Sequence, residues 1–571
     1  MRAGRTGTAG RDWVARAPNL ASLLFAAARV WAGRPAFRFF RDGRWQALDW
    51  PEAARRAGSL ARGLRALGVG AGDRVVIVSE NRPEALISEW ALMAIRAVPV
   101  PTYITNTEAD HAHVLADCGA RAAIVSTPAL AAMLRAAGPL ELVVCMRPAE
   151  GCVAFDALAG DGGEPGAIEA EAAAIPRGAL ACLIYTSGTG DAPKGVMTPH
   201  RAILSNIAGG AALLDPLRLR EEVYLSFLPA SHSFEHMAGM FLLPALGVEV
   251  VYGRGIEHLA ADLLAIRPTL LTVVPRLLEL IRGRLLAGLA RGPAWRRVLF
   301  ERALAIGLRR LEGARLSWGE RLADPLLDLV VRAKVRARLG GRLRAAISGG
   351  ARLEPELGRF FLAMGIIVAQ GYGQTEAGPA IAANSPIRPR PDSVGRPLAG
   401  VEVRIGADGE VLVRGDCVMD GYWGRPQDSA AALRDGWLHT GDVGAIDADG
   451  HLRITDRIKD IIKLSGGDTI SPARIENLLT GEAAIAQAVV GGDGEAALWA
   501  LVVPEDGADA ALVAAAVERV NRALPSPERL RRHVLVAPFT QANGLLTASQ
   551  KVRRRAVIAR HRGEGEPSVG R

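Results

Sequence analysis

The chain has few cysteines, few aromatics and no long uncharged stretch, and each shortage narrows what it can be. Its cysteines, Cys118, Cys145, Cys152, Cys182 and Cys417, are odd in number, widely spaced and without a CxxC pair. That argues against a disulfide framework or a thiolate zinc site and points to a reducing cytoplasm. No run of about 18 uncharged apolar residues occurs, and the basic N-terminus MRAGRTGTAGRDW has no apolar core. Neither a membrane span nor a signal peptide is expected. There is no Walker A loop, since GxxxxGK[ST] is missing. Aromatics at 5% and charged residues at 23% fit a globular enzyme, and no low-complexity tract suggests disorder. No nucleic-acid partner is expected.

What is present is length and hydrophobicity. With 571 residues, 49% of them hydrophobic, the chain exceeds what one core can organise, so at least two domains are expected. The net charge of +9 is unevenly placed: residues 276–344 hold 17 Lys/Arg against 6 Asp/Glu. Such a segment is either an arginine-rich solvated surface or a face that meets anionic membrane headgroups, giving a cytoplasmic protein a peripheral place at the inner face of the membrane.

Hydrophobic periodicity divides the chain. A helical pattern at 51–67 and short apolar runs at 74–78, 97–101, 143–146, 181–185, 248–252, 270–274 and 345–348 predict βα units, a layered α/β body. Residues 276–344 carry helix-period leucines such as Leu278, Ile281 and Leu285, read as a helical insertion. After Ser393 the texture becomes short strands and turns, with a hairpin signal at Ala407, Asp408 and Gly409 and a second turn at Asp449-Gly450. The expected fold is α/β: a large N-terminal domain of layered βα subdomains plus a small β-rich subdomain (1–455), then a small α+β C-terminal domain (456–571).

The segment LIYTSGTGDAPKGV at 183–196 is an apolar strand emptying into glycines and hydroxyls closed by a lysine. Glycines let backbone N–H groups approach oxygens, the hydroxyls of Thr186, Ser187 and Thr189 add donors, and Lys194 adds charge: phosphate-binding chemistry. Alone, such a segment is more often just a turn. Downstream stand SGGA at 348–351, QGYGQTE at 370–376, LHTGD at 438–442, DRIKDIIKLSGGDTISP at 456–472, and TQANGLLTASQKVRRR at 540–555.

In that order these motifs resemble the acyl-CoA synthetase, adenylation-domain and luciferase superfamily, over roughly residues 20–555. The resemblance implies an ATP site made of Thr186, Ser187, Gly188, Thr189, Gly190, Gly350, Ala351, Gly371, Tyr372, Gly373, Asp442 and Arg457, with Tyr372 stacking on adenine and Asp442 and Arg457 at the ribose. It implies Mg²⁺ on Glu376, with Thr189 reaching it through phosphate. Catalytic roles fall to Lys551, Thr375, Lys194 and Glu376, with Lys551 bridging the substrate carboxylate and the α-phosphate. Lys459 becomes the hinge of a mobile C-terminal domain, and Lys463, Ser465, Gly466 and Gly467 its coenzyme A face. In LPASHSFEH, His232 and Phe234 border the acyl pocket. The NGLLT motif and the helical insertion are similar to the long-chain branch, implying ATP-dependent conversion of a fatty acid to its acyl-CoA through an acyl-adenylate. A fatty acyl-AMP ligase serving a carrier protein and a non-catalytic binding relative are the alternatives. Two positions depart from the pattern. Asp191 stands where a second glycine is usual, and there it either repels pyrophosphate oxygens or points to solvent; Asp468-Thr469 replaces Glu-Asn.

Overall fold

The computed structural model describes residues 12–160, 163–186, 192–466, 468–547 and 551–561. Within the body, all the apolar runs but the one at 181–185 fall in two open sheets. In one, Val98–Thr102, Arg74–Val78, Ala122–Val125, Leu142–Cys145 and Val153–Ala154 lie in that spatial order, all parallel. The Arg74–Val78 and Ala122–Val125 strands read as near-continuous Val, Ile and Ala because both faces are covered.

The other is a nine-stranded sheet. Its centre runs Val368–Tyr372, Ala345–Ser348, Leu270–Val273, Val223–Ser226, Glu249–Tyr252 and Pro35–Arg41, all parallel, with antiparallel strands at both edges. The main core packs here around Trp50, Trp90, Phe25, Phe37 and Phe241. The 51–67 pattern becomes the helix Trp50–Ala66, started by Asp49 accepting from the Glu52 amide and by a proline in its first turn.

Leu180–Thr186 pairs with Lys194–Pro199, which in turn pairs with Gly421–Tyr422. The β-rich subdomain holds the hairpin Glu402–Ile405 with Glu410–Arg414, followed by Trp437–Ile446 and Leu452–Arg457. The chain leaves that sheet after Arg457. From Ile462 it builds separate cores in which Ile485–Gly491, Leu498–Pro504 and Leu530–Leu535 form a sheet flanked by Pro472–Thr480 and Ala510–Ala523.

The 276–344 segment is helical: Pro275–Ala290, Ala294–Leu311, then Trp318–Leu327 continuing through a π turn at Asp328–Arg332 into Ala333–Ala337. Buried Arg332 ties these helices together, reaching the Ala303 carbonyl at 2.8 Å and Asp324 at 2.7 Å. Among the described residues no helix is long and apolar enough to cross a membrane.

Candidate active site

Val223–Ser226, Leu270–Val273, Ala345–Ser348 and Val368–Tyr372 lie side by side and end on one edge. Ligands of open α/β sheets bind at the carboxyl ends of the strands, and a cavity of about 760 Å³ opens there. The loops that follow the strands supply His232 and Phe234, Gly349 and Gly350, and Gly373 to Glu376. Their tight packing leaves no room for a side chain at one glycine and little at another. A Cβ on Gly373 would lie 2.0 Å from the Pro379 carbonyl oxygen, and one on Gly349 would lie 3.0 Å from the Phe234 ring.

One end of the cavity is polar. The Tyr372 hydroxyl donates to Asp442 Oδ2 at 2.7 Å and Arg457 Nε to Oδ1 at 3.0 Å, so a buried carboxylate is held in a fixed plane. Burial raises the Asp442 pKa and the Arg457 charge opposes that rise. Tyr422 donates to Glu376 Oε1 at 2.9 Å. The other Glu376 oxygen has no hydrogen-bond or ion-pair partner among the described residues, and Glu376 lines the cavity. A hard carboxylate oxygen beside space for phosphates fits Mg²⁺, which keeps most of its shell from water and substrate. Thr375 and Ser233 share a hydroxyl contact at 3.0 Å, and Lys194 Nζ sits 3.0 Å from Asp428 and 5.4 Å from the Tyr422 ring centre.

The other end is apolar, lined by Leu213, Leu214, Met237, Leu242, Leu243 and Leu398. His232 lines the same cavity. Its Nδ1 accepts from the Phe234 amide at 3.3 Å, which places the ring proton on Nε2, and burial together with the Lys551 charge lowers its pKa to about 4. Beneath the loop, Asn81 Nδ2 donates to Ser226 Oγ at 2.8 Å and the Leu228 carbonyl at 2.6 Å, while its Oδ1 accepts from Ala230 N at 2.9 Å. Asn81 therefore fixes the segment leading to His232. Deeper still, Glu235 accepts from Tyr224, Ser226 and Thr272 hydroxyls. Burial pushes its pKa up to about 7.

Lys551 enters the cavity from the C-terminal side. Asn543 Oδ1 accepts from the Thr540 and Leu545 amides, turning the chain at Gly544. Thr547 then clasps Lys551 twice: its amide donates to the Lys551 carbonyl at 2.8 Å and its Oγ1 accepts from the Lys551 amide at 3.0 Å. Arg554, two-pronged on Glu476, anchors the helix beyond. The side chain opens into the cleft, where desolvation and Arg457 lower the ammonium pKa and Asp442 and Glu376 counter them.

Residues 24–423 match the model of the family described as AMP-binding enzyme, and residues 459–564 match the AMP-binding enzyme C-terminal domain. The chain belongs to the AMP-binding enzyme family. Relatives of this AMP-binding enzyme include the long-chain-fatty-acid–CoA ligase FadD15 of Mycobacterium tuberculosis, 33% identical over 94% of this chain and 95% of that protein. A feruloyl-CoA synthase from Amycolatopsis is also 33% identical, over 81% and 84%. Among solved structures, a benzoate CoA ligase from Burkholderia xenovorans superposes with a TM-score of 0.73 at 21% identity, covering 94% of this chain and 99% of that one. The O-succinylbenzoate coenzyme A synthetase of Bacillus subtilis, solved with ATP and magnesium, gives 0.70 at 22% identity, over 94% and 98%. At such identities the last two speak for the fold.

Of the residues singled out from the sequence of this AMP-binding enzyme, Thr186, Lys194, His232, Phe234, Gly350, Gly371, Tyr372, Gly373, Thr375, Glu376, Arg457, Lys459 and Lys551 line one cavity. Asp442 lies behind Tyr372 and Arg457. Ala351 is exposed and outside the lining, as are Lys463, Ser465 and Gly466 in the C-terminal loop. Ser187, Gly188, Thr189, Gly190, Asp191 and Gly467 lie outside the described residues. Sequence reasoning missed Asn81, Tyr422, Asp428 and the hydroxyl cradle of Glu235. Asn81, Tyr422 and Asp428 find their partners far along the chain, and although Tyr224 and Ser226 lie within eleven positions of Glu235, no local pattern marks the cradle.

Proposed function

We propose that this AMP-binding enzyme converts a long-chain fatty acid to its acyl-CoA in two steps at the cavity described above. In the first, a carboxylate oxygen bonds to the α-phosphorus of ATP and the bond to pyrophosphate breaks. In the second, the coenzyme A sulfur bonds to the acyl carbon, the bond to AMP breaks, and the thiol proton leaves to solvent. No protein nucleophile is needed, so the residues act by position and charge. Tyr372, Gly371 and Gly373 seat the base, and Asp442 with Arg457 takes the ribose hydroxyls. Lys551 and Thr375 meet the oxygens on which charge develops. Lys194, with the hydroxyls and glycines at 186–190, holds the β- and γ-phosphates. When bound at Glu376, Mg²⁺ supplies neutralising charge for the pyrophosphate.

The observation that carries this reading is the joining, in one cavity, of a polar end at Tyr372, Glu376 and Lys551 to an apolar end at Leu213, Leu242 and Leu398. His232, neutral by burial and near enough to Lys551 to feel its charge, lines the same cavity, and the acid's head group would lie beside it. Likeness to the long-chain-fatty-acid–CoA ligase FadD15 over nearly the whole of both chains supports a long acyl chain. Residues 456–571 act as a mobile lobe hinged at Lys459. Support comes from the placement of Lys459 between the last strand of the β-rich subdomain and the separate core starting at Ile462. Turning there withdraws Lys551 and brings the loop at 463–467 to the cavity for the thiol step. The enzyme works in the cytoplasm and peripherally at the membrane's inner face.

The test is direct. Purified protein with ATP, Mg²⁺, coenzyme A and palmitate is expected to release AMP and palmitoyl-CoA. No AMP from any acid between octanoate and oleate, with ATP still bound, would overturn the reading. Acyl hydroxamate trapped by hydroxylamine without acyl-CoA formation would replace coenzyme A by a carrier protein.

A further inference from the structure

The helix Trp318–Leu327 and the turn after it are amphipathic the wrong way round for a surface helix. Trp318, Leu322, Leu326 and Leu329 are 81%, 77%, 61% and 71% exposed. Their spacing of four, four and three residues puts them on one stripe. The charged positions lie off that stripe: Glu320 and Asp324 pair with Arg309 and Arg310 of the helix Ala294–Leu311, and Asp324 and Asp328 pair with Arg332 and Arg336 further along their own helix. Helix packing ordinarily buries the apolar stripe; here the stripe is left facing out.

The charge around it is as lopsided. Each acidic side chain of residues 276–344 has an arginine within 4.0 Å: Glu279, Glu301 and Glu312 pair with Arg276, Arg297 and Arg359, and the other three pair as above. Of the surplus cations Arg344 pairs with Glu222 outside the segment, and the rest make no ion pair among the described residues. Arg315 and Arg321 flank the stripe; both are exposed and neither makes an ion pair among the described residues, and Arg321 lies over the Trp318 ring at 5.7 Å. An apolar stripe with an aromatic at its end and arginines beside it is the composition of a helix that lies in the plane of an anionic bilayer.

We propose that this helix is the membrane-docking element of the enzyme, its stripe from Trp318 to Leu329 entering an anionic phospholipid surface with the arginines among the headgroups. A second copy of the chain fits the face less well, because a two-fold contact would set one arginine surplus against another. The docking names the element behind the peripheral placement proposed above; it does not depend on which acid is activated.

Sedimentation of the full chain with vesicles tests it. Vesicles of equal parts phosphatidylglycerol and phosphatidylcholine are expected to bind the protein at least about tenfold more tightly than pure phosphatidylcholine. The triple variant W318S/L322S/L326S is expected to lose about tenfold or more in that binding. These positions are exposed, so its melting temperature and its AMP release with octanoate should match the parent. Trp318 fluorescence should shift to the blue on anionic vesicles. Three results would overturn the proposal: a parent chain that stays in the supernatant, a triple variant that binds as the parent does, or equal binding to neutral and anionic vesicles. So would a triple variant that changes only self-association in sedimentation velocity, which would make the face a protein interface. Loss of AMP release with intact vesicle binding would instead count against the catalytic reading.

Discussion

Asp442 and Glu235 are both buried carboxylates that accept a tyrosine hydroxyl, from Tyr372 and Tyr224 respectively, but their other partners differ. Asp442 has the Arg457 guanidinium on its second oxygen, and both Tyr372 and Arg457 line the cavity. Glu235 has the hydroxyls of Ser226 and Thr272 and no cation among the described residues. Burial raises both pKa values. At Asp442 a full charge opposes the rise; at Glu235 only hydrogen bonds do, and the carboxyl moves to about 7. The first arrangement keeps an anion ready for a ligand. The second stores a polar brace under the His232 loop, where the loss of a hydroxyl matters more than charge.

That contrast can be tested from both sides. The largest expected effect lies at the polar end, where Lys551→Ala is expected to slow adenylate formation by roughly 10³-fold. It should leave the thiol step intact when synthetic acyl-AMP is supplied. Equal loss in both half-reactions would show that Lys551 is not specific to the first.

Next is the pH dependence of stability. A folded carboxyl at about 7 binds a proton that the unfolded one, near 4.5, gives up. The Glu235 contribution is therefore full below pH 4.5 and lost as pH rises through 7, on the order of 3 kcal/mol in all. In denaturant titrations at pH 4.5 and pH 7.5, the stability difference between parent and Glu235→Gln should change by that amount and in that direction; a difference independent of pH removes the contrast. Asp442→Ala should behave oppositely, lowering kcat/KM for ATP about 100-fold while moving the melting temperature little.

The smallest effect concerns the apolar end. Leu213, Ala383 and Leu398 line the main cavity and also a neighbouring, mostly apolar one. Leu213→Ala should open the partition and shift the preferred acyl chain a few methylenes longer, a change of about 1 to 3 kcal/mol in relative kcat/KM. An unchanged profile over a panel of chain lengths would place the chain-length limit elsewhere.

Much of the strand inventory was legible. The apolar runs at 74–78 and 345–348 fall on Arg74–Val78 and Ala345–Ser348, and the hairpin at Ala407-Asp408-Gly409 joins Glu402–Ile405 to Glu410–Arg414. Arg74–Val78 and Ala345–Ser348 are buried on both faces, so composition marks them, while the hairpin is marked by its turn residues. Order in the sheet was not legible. That Pro35–Arg41 lies against Glu249–Tyr252 is decided by packing across two hundred residues. The site follows the same division: glycines and hydroxyls near each strand end announce themselves, while Tyr422 reaches Glu376 from 46 positions away and Asn81 reaches Ser226 from 145. Helical periodicity also leaves the direction of a face open. Leu278 and Leu285 point inward, as expected of core leucines, whereas Leu322 and Leu326 repeat at the same kind of interval and point outward.

The close fit at Gly373 has a further consequence, for the routes by which such an enzyme can change over generations. Its obstacle is the Pro379 carbonyl, main chain that cannot step aside for a methyl group. At Gly210, by contrast, the obstacle is the flexible end of Leu242, 2.7 Å from where a Cβ would sit. One substitution breaks the nucleotide seat; the other asks a leucine to choose a new rotamer. Random mutation thus finds the seat closed and the acyl wall negotiable, so new acids can be acquired by single small steps while the energy source stays the same.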